Sequence, residues 1–217
     1  MGLLEAARKI ATPKMPDWLP DVVHAAAHVE GYSTTLKTCQ QLIDGSFVGP
    51  IDADELTFLL NMIQAYMFVI EHNKDTLDVP FICNVNRLVG RELFKDAGKL
   101  RTEQVYVGTL RLAPPRPEYP VVARDVILMG NKEDLVDRAL AFFCYICKQQ
   151  LFIDGNKRTA QLICNKILTQ CSDKLYLCIP WDMNVTFGEL LYTYYITNDS
   201  YDLKQWLKRN ALKLKEE

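Results

Sequence analysis

The stretch of the chain richest in usable chemistry is Gln150 to Gln161, QLFIDGNKRTAQ. Asp154, Gly155, Asn156, Lys157 and Arg158 crowd between two apolar helical stretches, and Gly155 permits a tight turn into the second. The first-turn amides of a helix have no acceptor within it, and the helix dipole favours an anion there. Lys157 and Arg158 add positive charge, and a guanidinium can grip a phosphate through two hydrogen bonds. Mg²⁺ takes one or two carboxylates together with phosphate oxygens, a role that suits Asp154. Phe152 reads as the anchor that pins the turn to the core. A plainer account covers the same residues: Asp-Gly-Asn is ordinary capping and turn chemistry, and two basic residues on a first turn can simply be solvated.

Other groups carry weaker signals. His24 and His28 are four apart on one face of an expected helix, the spacing of a metal-binding pair, and helix packing explains them equally well. Cys144 and Cys147 form a C-x-x-C, but no second such pair and no nearby His completes a metal set, so core packing is the expectation. Tyr106 sits in a stretch of strand character, which accounts for it without a binding role.

These residues need elements to hold them, and helical periodicity dominates the chain. Apolar spacing predicts helices over residues 55–70, 81–94, 132–147, 158–171, 187–197 and 203–214. The segment 55–70 is apolar nearly all round, as a central helix would be. The one convincing β pattern is 103–112, where Val105, Val107, Leu110 and Leu112 alternate around Gly108 as in a short hairpin. The proline-rich run 113–120 reads as an extended loop, and residues 1–21, with three prolines between 13 and 20, as a loosely docked arm. The expectation is one mostly α domain, a helical bundle with a small β-hairpin, over residues 22–217.

Composition sets the outer limits. With 217 residues, 49% hydrophobic and 24% charged, the chain fits a soluble globular protein. A formal net charge of −2 argues against a nucleic-acid surface, which needs a basic footprint. No run of about 18 apolar residues suggests a membrane span. The N-terminus lacks the design of a signal peptide, and Ala6 stands where a myristoylation signal wants Ser or Thr. Seven cysteines, mostly in apolar periodic stretches, fit buried reduced thiols and a cytoplasmic setting.

The string QLFIDGNKR resembles the signature of the Fic/Doc (Fido) family, H-x-F-x-[D/E]-G-N-[G/K]-R followed two residues later by a second Arg. Phe152, Asp154, Gly155, Asn156, Lys157 and Arg158 match, and N-K-R-T-A looks like the Doc side of the family. Gly98, Arg101, Val105, Val107 and Gly108 resemble the segment leading into the family's flap, here about 102–112. The stretch AHVEGYSTTLKTCQQLIDG resembles its inhibitory-helix region, here 22–31. The resemblance implies a Fic-type helical bundle and transfer of AMP from ATP to a protein hydroxyl. It implies that ATP and Mg²⁺ are the cofactors, with Asp154 on the metal and Gly155, Asn156, Lys157 and Arg158 around the phosphates. The flap would hold an unknown target protein by strand addition. A homo-oligomer is compatible with the resemblance.

Two positions depart from the family pattern. Gln150 stands where the family keeps the His that takes the hydroxyl proton, and a carboxamide can orient a hydroxyl but not accept its proton. Gln161 replaces the second Arg, which in the family helps to bind phosphate and pairs with the inhibitory Glu, here Glu30. The family's charge pair is lost, a Glu30–Gln161 hydrogen bond is still open to the two side chains, and Ala26 stands at the inhibitory Ser/Thr position. Nucleotide binding is therefore expected more firmly than catalysis. The alternatives are a non-catalytic nucleotide-binding or regulatory protein, and a Doc-like toxin that transfers phosphate.

Overall fold

Short polar side chains set where several helices begin. The computed structural model describes residues 15–107 and 112–215. Helix α1 spans Leu19–Val29 and α2 spans Leu36–Ile43, the latter capped by the Thr35 hydroxyl, which accepts from the Thr38 amide at 3.1 Å. Asp52, Asp78 and Asp134 cap α3 (Ala53–Glu71), α4 (Val79–Gly90) and, after α5 (Tyr119–Gly130), α6 (Leu135–Gln149). Each aspartate accepts first-turn amide protons that the helix cannot satisfy. Helix α7 (Asn156–Leu168) follows, then strand β1 (Leu175–Leu177) and, after a 3₁₀ turn, α8 (Asn184–Thr197). Helix α9 (Tyr201–Trp206) runs into a π turn (Leu207–Ala211), and β2 (Leu212–Leu214) pairs antiparallel with β1, Tyr176 opposite Lys213.

Helix α7 is the axis of the bundle: every residue except Lys157 is buried. Its polar side chains are held by neighbouring elements, as burial requires. The Asn165 carboxamide brackets Leu177 of β1, donating to its carbonyl at 3.0 Å and accepting from its amide at 2.6 Å. The Lys166 ammonium donates to the carbonyls of His72, Asn73 and Asp75 at 2.8, 2.9 and 2.8 Å, closing the C-terminal end of α3. Helix α3 itself is long and apolar enough to cross a membrane, but it packs its larger part into the core.

The mostly α expectation holds, and among the described residues a small two-stranded sheet joins Leu175–Leu177 to Leu212–Leu214. Residues 203–214 are not one helix, because Leu212–Leu214 leaves helical geometry to pair with Leu175–Leu177. In the expected hairpin a single antiparallel bridge, Val107 to Leu112, is described, and Gly108 and Leu110 lie outside the described residues. The expected boundary at residue 22 cuts through α1. Trp18 is buried and stacks on Tyr176 at 4.9 Å, so the chain is docked from there onward. Most of the arm, residues 1–14, lies outside the described residues. Helices α2 and α5 carry periodicity too short or too mixed to be read ahead of the structure, and α5 begins inside the proline-rich run with Pro120 in its first turn.

Candidate functional site

Two left-handed residues shape the loop between α6 and α7. Gln150 ends α6 at φ 47°, and Gly155 starts α7 at φ 75°. A Cβ on Gly155 would lie 3.1 Å from Asn86 Nδ2 and from Phe94, so glycine answers both a backbone and a space requirement. Asn156 closes the loop on itself. Its Oδ1 accepts from the Phe152 amide at 3.0 Å, and its Nδ2 donates to the Phe152 carbonyl at 2.8 Å and to Gln150 Oε1 at 3.1 Å. Asn156 is thus a structural clasp, and its side chain is spent on the loop.

Gly155 has no side chain with which to cap α7. The amides of Asn156, Lys157 and Arg158 therefore face outward with no acceptor in their own helix, while Thr159 is the first to bond back, to the Gly155 carbonyl at 2.8 Å. Above them opens a cleft of about 250 Å³ lined by Glu30, Val107, Gln150, Asp154, Lys157, Arg158, Leu191 and Tyr195 among others. Lys157 is exposed at its edge. The site residues expected from sequence are brought together here with one exception, Gln161.

Arg158 decides the electrostatics. Its guanidinium is nearly buried between the rings of Phe58 and Phe94, at 5.5 and 5.7 Å. Glu30 Oε1 lies 3.2 Å from its Nε, and Asp154 Oδ1 lies 3.2 Å from its Nη2. The Glu30–Gln161 hydrogen bond that the sequence allows is not formed: Gln161 Nε2 donates to the Tyr66 hydroxyl at 3.1 Å, inside the core. Residue 161 lies one turn beyond the head of α7 and faces α3, where the fully buried Tyr66 needs a partner. The charge pair of Glu30 is thus formed with the first Arg of the motif. Asp154 is 59% exposed, and its Oδ1 also accepts from the Gly155 amide. Among the described residues no hydrogen bond or ion pair engages its Oδ2, and Asp154 lines the cleft.

Gln150 is committed on both ends of its carboxamide. Its Nε2 donates to the Cys147 carbonyl at 2.6 Å, and its Oε1 accepts from Asn156. The Tyr195 hydroxyl donates to that same carbonyl at 3.0 Å, and burial pushes it far above the ordinary phenol range, so it stays protonated.

Two residues organise the site from behind. Asn86, fully buried in α4, accepts from the Gly98 amide at 2.8 Å and donates to the Asp154 carbonyl at 3.0 Å and to the Thr159 hydroxyl at 3.1 Å. Sequence reasoning passed over it, although an Asn at a core-spaced position between Ile82, Val85 and Val89 was a signal. Arg101 donates to the carbonyls of Glu103, Pro114 and Pro115 at 2.8, 3.2 and 2.7 Å, as well as to that of Gln150. It clamps Glu103 and Pro114–Pro115, on either side of the Val107–Leu112 bridge, to the end of α6.

Residues 76–168, which include this loop and its supports, match the Fic/DOC family model. This chain belongs to the Fic/DOC family. The protein adenylyltransferase fic-1 of Caenorhabditis elegans is 30% identical over 159 residues, a match covering 68% of this chain and 31% of that protein. Its namesake in Caenorhabditis briggsae is 28% identical over 160 residues, with 68% and 31% covered. The chain therefore spans about a third of the length of these curated relatives. Among solved structures, Fic-1 from C. elegans superposes with a TM-score of 0.69 at 21% identity, covering 95% of this chain and 66% of that one. A Fic family protein from Desulfovibrio desulfuricans G20 reaches 0.73 at 17% identity, covering 94% and 69%. These structures share the Fic fold. Within that fold, the Gln150 carboxamide is spent on its own loop and the Gln161 carboxamide on the core.

Proposed function

We propose that this chain binds a magnesium–ATP complex at the head of α7 and is an adenylyl-transfer module acting on a protein hydroxyl. The observation that carries the reading is the cradle itself: uncapped amides of Asn156 to Arg158, the Lys157 and Arg158 charges, and the free oxygen of Asp154 face one cleft. The relatives named protein adenylyltransferases support the same chemistry. Mg²⁺, when bound through Asp154 and phosphate oxygens, would neutralise charge on the nucleotide. Lys157 and the helix amides orient the phosphates, and Arg158 reaches them once Glu30 releases it. The bridge at Val107 and Leu112 borders the cleft and offers an edge on which a target strand can align.

The transfer forms a bond from the target oxygen to the α-phosphorus and expels pyrophosphate, and the hydroxyl proton must leave. Gln150 cannot receive it, so turnover is slow or absent while binding persists. That commitment of Gln150 favours a second reading, a nucleotide sensor without turnover. Calorimetry with ATP and MgCl₂ tests the shared part. Magnesium-dependent binding is expected, with loss in Asp154→Ala and in Arg158→Ala. Failure to bind in both the natural chain and Glu30→Gln would overturn both readings. Transfer of label from α-labelled ATP to a protein then separates the two, and label passing only from the γ position would mark phosphotransfer instead.

A further inference from the structure

Helix α1 and the turn after it hold a second group of donors that the nucleotide reading does not use. His24 Nε2 and His28 Nε2 lie 3.1 Å apart, and His28 Nε2 lies 3.0 Å from the carbonyl oxygen of Thr34. The same carbonyl also faces His24. Three lone-pair atoms therefore converge, two imidazole nitrogens and one carbonyl oxygen. Both rings are partly exposed, so water has access.

Ligands at right angles, each about 2.1 Å from an ion, lie about 3.0 Å apart. The Nε2–Nε2 and Nε2–carbonyl separations, 3.1 and 3.0 Å, have the length of that edge. Among the described residues no three His, Cys, Asp or Glu side chains form a metal cluster, so the third ligand has to come from the backbone. We infer that His24, His28 and the Thr34 carbonyl form one face of a binding site for a borderline divalent transition ion that accepts right-angle ligands, such as Ni²⁺, with water on the open face. Imidazole suits these ions, and a hard ion such as Mg²⁺ would prefer the carboxylate site. Trp181 stacks on His28 at 4.8 Å and fixes the orientation of that ring. The ligands flank Glu30 in sequence, two before it and one after, so a bound ion ties together the turn that carries Glu30.

The competing occupant is a pair of protons, each Nε2–H donating to the Thr34 carbonyl. Titration calorimetry of the full chain with NiCl₂ at pH 7.5, without nucleotide, separates the two. One site is expected, weakened about 10-fold or more in His24→Gln and in His28→Gln. It should be unchanged in His72→Gln, whose ring bonds elsewhere, to the Phe68 carbonyl at 2.9 Å. Affinity should fall at pH 5.5, where protons compete for the ligands. A second measurement needs no variant: ZnCl₂ added to ¹⁵N-labelled chain should move the Nε2 resonances of His24 and His28. Static Nε2 resonances, or Ni²⁺ affinity equal in His24→Gln and the natural chain, overturn the assignment in favour of protons. Loss of nucleotide binding in Arg158→Ala leaves this site intact, so the two proposals fail separately.

Discussion

Replacing Glu30 by Gln removes one charge from the cradle and leaves its shape nearly unchanged. Glu30 Oε1 and Arg158 Nε lie 3.2 Å apart, with the side chains 30% and 9% exposed. At an effective dielectric of about 20, unit charges about 4 Å apart attract by about 4 kcal/mol. Part of that is returned as hydration when the pair opens, and Asp154 keeps a hold on the guanidinium. A net restraint of about 1–2 kcal/mol remains, which corresponds to about 5- to 30-fold in an equilibrium. Since phosphate must displace Glu30 to reach Arg158, Glu30→Gln should tighten Mg–ATP binding by that factor, measured by calorimetry at fixed ionic strength. In an Arg158→Ala background the same change should have little effect, because the coupling runs through that guanidinium. Equal or weaker binding by Glu30→Gln, or an undiminished gain without Arg158, would refute the reasoning.

Other expectations follow from the same geometry. Gln150→His supplies a proton acceptor at the end of α6, and label transfer from α-labelled ATP should rise by about 10²- to 10⁴-fold; a variant that folds, binds nucleotide and shows no gain would mean that the base position is not what limits transfer. Lys166→Met keeps the buried stem but strips three carbonyls of their donor. Urea unfolding should show a loss of about 3 kcal/mol or more, and a loss below about 1 kcal/mol would show that water replaces the ammonium.

Several elements were legible before the structure because their information is local. Periodic apolar spacing marks α3, α4 and α6 within a few residues of their observed ends, since a helix buries one stripe in register with its own repeat. The 150–158 motif is legible for the same reason: a glycine turn, a helix start and two basic residues are neighbours in the chain. The central place of helix α7 is not legible locally. Its buried Asn165, Lys166 and Gln161 read as polar, and their partners in α3, β1 and the segment 72–75 are far away in sequence. Residues 212–214 failed as a helix because a strand this short owes its form to pairing with the sequence-distant Leu175–Leu177, Leu212 opposite Leu177 and Leu214 opposite Leu175, and not to its own spacing.

What the sequence by itself determined is the kind of protein, a mostly helical member of the Fic/DOC family in which Asp154, Lys157 and Arg158 are neighbours around one glycine turn. Which charges face each other was decided only by tertiary structure. A carboxylate at 30 and arginine or glutamine at 158 and 161 allow two pairings, and the helix phase of α7 selects Arg158, turning Gln161 inward to Tyr66. The convergence of His24 and His28 on Thr34 has the same origin. A four-residue spacing only permits two rings to meet, and the turn after α1 is what brings a carbonyl between them.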